Sequence, residues 1–216
     1  MGVMQGAQVK NFDSKQYENL VDPNPDGGAA APVRVAQLID RLGRLTRELQ
    51  YVDGLNPAQW ETLRFLSRAN RVSRTASAVA EFLCATKGTV SQTISALENK
   101  GLLVRTPSEK DKRVTHLDLT ERGGELIARD PVGRIENSVN AMDSAAADAM
   151  VQGLSRLLNA LQADRDGPSF GVCKACCRHL TPEAGCGSNI VAKCGVTGQP
   201  LDTDDSHRLC VNFRTE

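Results

Sequence analysis

The sequence predicts a mainly α fold of the α+β kind, followed by a small irregular module rich in cysteine. Three observations predict it. Apolar residues recur at three- and four-residue spacing from Val35 to Leu97 and again from Leu126 to Leu161. Between these stretches, two short β-rich runs flank the polar, proline-led segment PSEKDKR. Beyond residue 166 the periodicity fades, glycine is frequent, and six of the seven cysteines fall between Cys173 and Cys210.

Residues 1–31 read as a flexible N-terminal arm, because VDPNPDGGAAAP has no apolar period and is dense in Pro, Gly, Asp and Asn. Val35, Leu38, Ile39, Leu42, Leu45, Leu49 and Val52 then mark one face of a helix that Gly54 ends. Asn56-Pro57 opens a second helix, with Asn56 as the cap and Trp60, Leu63 and Leu66 on its apolar face. A third, short helix fits Ala76 to Leu83, and a fourth runs from about Gly88 to Asn99 with Val90, Ile94 and Leu97 inward. The period then changes to that of a strand at 102–106 and again at 114–119, which predicts a hairpin with a basic tip. Helix returns after Thr120 and closes on Met150, Leu154, Leu157, Leu158 and Leu161, before a linker at 164–167. The expected organisation is therefore an arm (1–31), a helical domain with a hairpin (32–166) and a cysteine-rich module (167–216).

Total charge decides nothing, since 26 basic residues balance 26 acidic ones. Its distribution is informative. Residues 56–113 hold ten Lys or Arg against five Asp or Glu, a local excess of five positive charges suited to phosphates. Aromatic residues, at 4%, are too scarce for a base-stacking platform. No apolar run is long enough to span a bilayer, and the first residues lack a signal-peptide apolar stretch, so the expectation is a cytoplasmic protein with no membrane role. No G-x-G-x-x-G, P-loop or nucleophile motif is present, and His116, His179 and His207 stand in no recognisable surroundings, so no enzyme is expected.

Helices followed by a basic hairpin make a winged helix-turn-helix, in which the helix before the hairpin enters the major groove. LNPAQWETLRFL, TKGTVSQTISALENKGLLVR and SEKDKRVTHLDLTERG resemble the MarR family of transcriptional regulators over about residues 33–163. The resemblance implies a homodimer with intertwined first and last helices, bound to pseudo-palindromic double-stranded DNA. It also implies that Thr86, Lys87, Thr89, Ser91, Gln92 and Thr93 form the exposed face of the recognition helix. Arg113 would be the wing arginine reaching the minor groove, held by Asp111, with Lys110 and Lys112 beside it. The chemistry of the residues agrees in part: Gln92 can offer a bidentate amide to adenine, and Thr89 and Ser91 suit phosphates or a thymine methyl.

Clustered cysteines in a chain without a secretory signal suggest a metal or redox site rather than a disulfide framework. Cys173 and Cys176 form a C-x2-C pair whose tight loop can turn both sulfurs onto one metal. Cys177, Cys186, Cys194 and Cys210 compete for the other two places. Cys177 directly follows Cys176 and should point elsewhere, and Cys186 lies in a glycine-flanked loop, so the chosen set is Cys173, Cys176, Cys194 and Cys210. Its C-x2-C-x17-C-x15-C spacing resembles the ligand pattern of high-potential iron–sulfur proteins, which implies a [4Fe–4S] cluster, with [2Fe–2S] or zinc as alternatives. Phe170 and Phe213 flank the set and could shield a cluster. Cys84 reads as a small buried apolar residue, and His179 and His207 as surface residues.

The resulting expectation is a dimeric transcription regulator whose operator binding follows an iron–sulfur cluster responsive to oxygen, nitric oxide, redox state or iron. Because the module follows the last helix, its influence is expected to pass through the dimer helices. A structural zinc site with a small aromatic ligand, a thiol/disulfide switch, and an electron-transfer protein are the competing readings.

Overall fold

The computed structural model describes residues 30–108, 112–163, 169–182 and 189–214. Helix α1 (Ala31–Leu49) begins on Pro32 in its first turn, one residue inside the span expected to be an arm, and buries none of its side chains within the chain. Helix α2 (Pro57–Arg68) starts in a full capping box: the Asn56 side chain accepts from the Gln59 amide at 3.0 Å, and the Gln59 side chain accepts from the Asn56 amide at 3.2 Å. A single 3₁₀ turn, Arg71–Ser73, follows, capped by Asn70. Periodicity cannot reveal it, because three residues are shorter than one repeat.

Helix α3 (Ala76–Phe82) is capped by Thr75 and helix α4 (Lys87–Asn99) by Thr86. Strands β1 (Leu103–Pro107) and β2 (Thr115–Leu119) pair antiparallel, Leu103 opposite Leu119 and Pro107 opposite Thr115. Helix α5 (Glu121–Ile127) begins at Thr120. A Cβ on Gly123 would stand 2.1 Å from the Leu102 carbonyl oxygen, so only glycine lets α5 close onto the hairpin base. Sixteen buried apolar residues, from Leu55 to Leu126, make one core beneath these elements, with Trp60, Leu63, Val79 and Leu97 fully enclosed.

Helices α6 (Gly133–Asn140) and α7 (Ser144–Ala163) bury no residue, and with α1 they expose Leu38, Leu42, Leu45, Leu154, Leu158 and Leu161. No helix of the described residues is long and apolar enough to cross a membrane.

The segment expected to be irregular contains two small sheets. Strand β3 (Ser169–Val172) pairs antiparallel with β7 (Leu209–Phe213), while β4 (His179–Leu180), β5 (Ile190–Cys194) and β6 (Pro200–Asp202) form a three-stranded sheet. Helix α8 (Thr203–His207) sits between β6 and β7, capped by Asp202, which accepts from the Asp205 amide at 2.7 Å. Strands of two to five residues with interrupted register are too short for a period to declare itself.

Candidate nucleic-acid interface and thiol site

Most, though not all, of the residues expected on the outer face of α4 are exposed. Val90, Ile94 and Leu97 face the core, and the opposite side of α4 carries Lys87, Thr89, Ser91 and Gln92, all exposed. Thr93 is half-buried, and its hydroxyl donates back to the Thr89 carbonyl at 3.0 Å. Thr86 holds the start of α4, its hydroxyl accepting from the Thr89 amide at 3.2 Å and lying 2.9 Å from the Thr89 hydroxyl. Lys112 and Arg113 are exposed at the hairpin tip. Lys110 and Asp111, including the expected Asp111 hold on Arg113, lie outside the described residues.

The hairpin is braced from below. Arg74 pairs with Asp118 at 3.0 Å, and the Arg74 carbonyl accepts from the Leu117 amide at 2.8 Å. Arg105 on β1 pairs with Glu98 at the end of α4, at 3.4 Å. At the other end of α2, Arg64 donates two hydrogen bonds to Asp130, at 2.6 and 2.9 Å. Burial would raise the Asp130 carboxyl, but the Arg64 bonds and charge, with the Val132 amide, hold it below its ordinary value.

Cys84 is a correction. It is exposed rather than buried, at φ 52° in the turn between α3 and α4. There the Ala85 amide reaches back to the Ala80 carbonyl at 3.0 Å, a helix-ending turn that usually takes glycine. That left-handed backbone turns the side chain away from the core.

Three of the four chosen cysteines, Cys173, Cys194 and Cys210, are buried together with Ala192 and Leu201. The strands explain how. Cys210 is the neighbour of Gly171 across β3–β7, Cys194 faces His179 across β4–β5, and a 3₁₀ turn, Cys173–Ala175, joins β3 to the Cys176 corner. Cys176 is half-exposed, and its sulfur accepts from the amides of Arg178 at 3.4 Å and Arg214 at 3.3 Å. The Cys173 thiol is pushed up to about 12, first by burial and then by the charges of Cys210, Cys194 and Cys176.

The other three cysteines thus all bear on Cys173. Among the described residues, however, no three His, Cys, Asp or Glu side chains already stand as a coordination set for one metal ion. The donor chemistry still fits a thiolate-held group. Three of the cysteines are enclosed, and the sulfur of the fourth accepts two amide hydrogens, as a thiolate ligand would.

Cys177 is exposed and turned away, its amide donating to the Arg214 carbonyl at 3.1 Å, and Cys186 lies outside the described residues. Of the two flanking phenylalanines, Phe213 packs on the cysteine core, lying across Gly171, where a Cβ would stand 2.7 Å from the ring. Phe170 belongs to the other core, edge-on to Phe65 and Phe82 at 6.1 and 5.1 Å. His207 is exposed, while His179 is half-buried with its Nε2 3.1 Å from the Ser206 hydroxyl.

Sequence reasoning misses how the module attaches. Asn70 donates its amide to the Leu209 carbonyl at 2.8 Å, and Arg71 donates its amide to the buried Asp205 carboxylate at 2.8 Å. Ser73 accepts from the Val211 amide at 2.9 Å, and Arg208 donates to the Ser67 carbonyl at 2.7 Å. No local pattern signals such contacts, because the partners lie about 135 residues apart.

Residues 53–114 match the sequence model of the MarR family. That span ends well before the six clustered cysteines. The chain is 27% identical over 113 residues to the HTH-type transcriptional regulator MhqR of Bacillus subtilis, covering 50% of this chain and 77% of that protein. Streptococcus pneumoniae FabT, solved in complex with DNA, is 25% identical with a TM-score of 0.51, over 61% of this chain and 98% of FabT. A MarR transcriptional regulator from Methanosarcina mazei shares the fold at 22% identity and a TM-score of 0.50, over 60% and 97% of the two chains. With α4 exposed in front of a braced hairpin, the chain forms a winged helix-turn-helix that matches the model of the MarR family over residues 53–114 and resembles its regulators in fold.

Proposed function

We propose that the protein is a homodimeric DNA-binding transcription regulator whose operator affinity is set by an iron–sulfur cluster held by Cys173, Cys176, Cys194 and Cys210. The DNA half of this reading is supported by the exposed Lys87, Thr89, Ser91 and Gln92 on α4, and by Lys112 and Arg113 at the hairpin tip. FabT, with the same fold, was solved on DNA. The uncovered leucines of α1 and α7 supply an apolar face for a second copy. The observation that carries the cluster is the Cys173 thiol, enclosed beside three other cysteines and pushed up to about 12. Burial keeps the Cys173 thiol protonated when free, whereas bound iron would ionise it, within a core that Phe213 and Leu201 help to close. A bound cluster supplies a charge that changes with redox state or is lost with the iron, and either change alters the forces between these four side chains.

Iron, sulfide and zinc analysis after anaerobic purification tests the cofactor. Iron with matching sulfide and absorption near 400 nm is the expected result, and stoichiometric zinc without iron replaces the cluster by a structural zinc site. Arg113→Ala tests the interface: it should weaken binding to all DNA sequences by about 1–3 kcal/mol, whereas Gln92→Ala should lower discrimination between sites. Unchanged affinity of the Arg113 variant at moderate salt would remove the wing assignment.

A further inference from the structure

The order of the chain leads one to expect the module to act on DNA binding through the dimer helices, but its contacts lead elsewhere. Strand β7 has two faces. Cys210 points into the cysteine core with Cys173 and Cys194, while its immediate neighbours Leu209 and Val211 pack against the winged-helix core. The same two neighbours hold the connection between α2 and α3: the Leu209 carbonyl accepts from Asn70, and the Val211 amide donates to Ser73. Ala69 and Leu209 form a short parallel bridge beside these bonds.

From that connection the contacts run on to the hairpin. The Arg74 carbonyl holds the Leu117 amide of β2, and the Arg74 guanidinium holds Asp118. Thr75, whose amide donates to the Ser73 carbonyl at 2.8 Å, caps α3, which packs against α4. One thiol position is thus a single residue away from the bonds that hold Asn70 and Ser73, beside the Arg74 that holds the base of the wing.

We propose that β7 is a lever within one chain, by which the state of the thiol site at Cys210 is passed through Leu209 and Val211 to residues 69–74 and on to the hairpin β1–β2. The inference rests on the metal-site reading above and names the route of its regulation. A strand shift that suits Cys210 to a bound group moves Leu209 and Val211 with it, since successive residues of an extended strand move together and face opposite ways. The recognition elements then differ between loaded and stripped protein without any change at the dimer helices.

Hydrogen exchange of the full chain, loaded after anaerobic purification and then stripped with a chelator, tests the route. Stripping should speed exchange in residues 69–75 and 103–119 by about tenfold, the scale of one ordinary hydrogen bond lost. Ser73→Ala should keep the metal content and the dimer, yet residues 103–119 should no longer respond to stripping. If the Ser73 variant does not fold, Arg208→Ala, at a half-buried side chain whose bond to the Ser67 carbonyl also ties the module to α2, gives a second test with the same expected outcome. Bound metal with equal exchange of 69–75 and 103–119 in the two forms overturns the lever and leaves the metal site standing. A variant that responds to stripping as the unmodified chain does also overturns it. Absence of both iron and zinc from the purified chain removes the metal site and the lever with it.

Discussion

The winged helix and the cysteine module solve the same problem with different means. The first encloses sixteen apolar residues among four helices and a hairpin, and Trp60, Phe65 and Leu97 alone displace a large area from water. The second, among its described residues, has five buried apolar ones, Cys173, Cys194 and Cys210 among them, around strands of two to five residues. So few apolar groups do not offset the entropy of ordering such a segment. Its order must come in good part from bonds to the winged helix, and the proposed metal would add to it. Hydrophobic burial therefore governs one region and side-chain chemistry the other.

Removing a thiol should break this contrast most sharply. Cys173→Ser should abolish bound metal and most exchange protection over residues 169–214, while the helical circular dichroism of the winged helix persists. Serine at Cys176, Cys194 or Cys210 should do the same, and at Cys177 or Cys186 should leave the metal in place. Loss of metal in the Cys177 variant with retention in the Cys194 variant would show that the ligand set is wrong.

Leu97→Ala tests the other side. The side chain is fully buried in the winged-helix core, so truncation should cost about 2–5 kcal/mol by denaturant unfolding. A cost below ~1 kcal/mol would mean that this core is far looser than its enclosure implies.

The Arg64–Asp130 pair is intermediate between the two regimes. Its carboxyl is held below the ordinary value, so the folded chain favours the ionised form. The stabilisation is present above about the ordinary value of 3.8 and is lost as pH falls through the lower folded value. Asp130→Asn should remove that acid-limb dependence and cost about 1–3 kcal/mol near neutral pH. An unchanged acid limb would exclude the pair as its source.

What can be read from the sequence follows the same division. The period of Val90, Ile94 and Leu97 and the cap at Asn56 are local signals, and both reappear in the fold. The choice of Cys173, Cys176, Cys194 and Cys210 over Cys177 rests on adjacency; the structure buries Cys173, Cys194 and Cys210 in one small core and leaves Cys177 exposed. The Arg71–Asp205 and Ser73–Val211 bonds have no local signal, since an isolated Ser or Asp does not announce a partner far along the chain. Cys84 misleads because a short apolar context suggests burial, whereas a positive φ is set by how α3 ends. Phe170 and Phe213, alike in sequence context, serve different cores because β3 and β7 each present residues to both sides.

The smallest predicted effect concerns Thr86, which family resemblance puts among DNA-facing residues and the structure makes the cap of α4. Its hydroxyl satisfies the Thr89 amide, one of the first amides of a helix with no partner inside the helix. Thr86→Ala should therefore cost about 1 kcal/mol of stability with no DNA present. Thr86→Ser, which keeps the oxygen, should recover most of it. If Thr86 also touches phosphate, the alanine variant should bind DNA more weakly than its stability loss explains, and the salt dependence should stay the same, because a neutral hydroxyl releases no counterion. A stability unchanged by Thr86→Ala would assign the residue to DNA alone and leave the start of α4 held by the buried Val90 and by packing against α3.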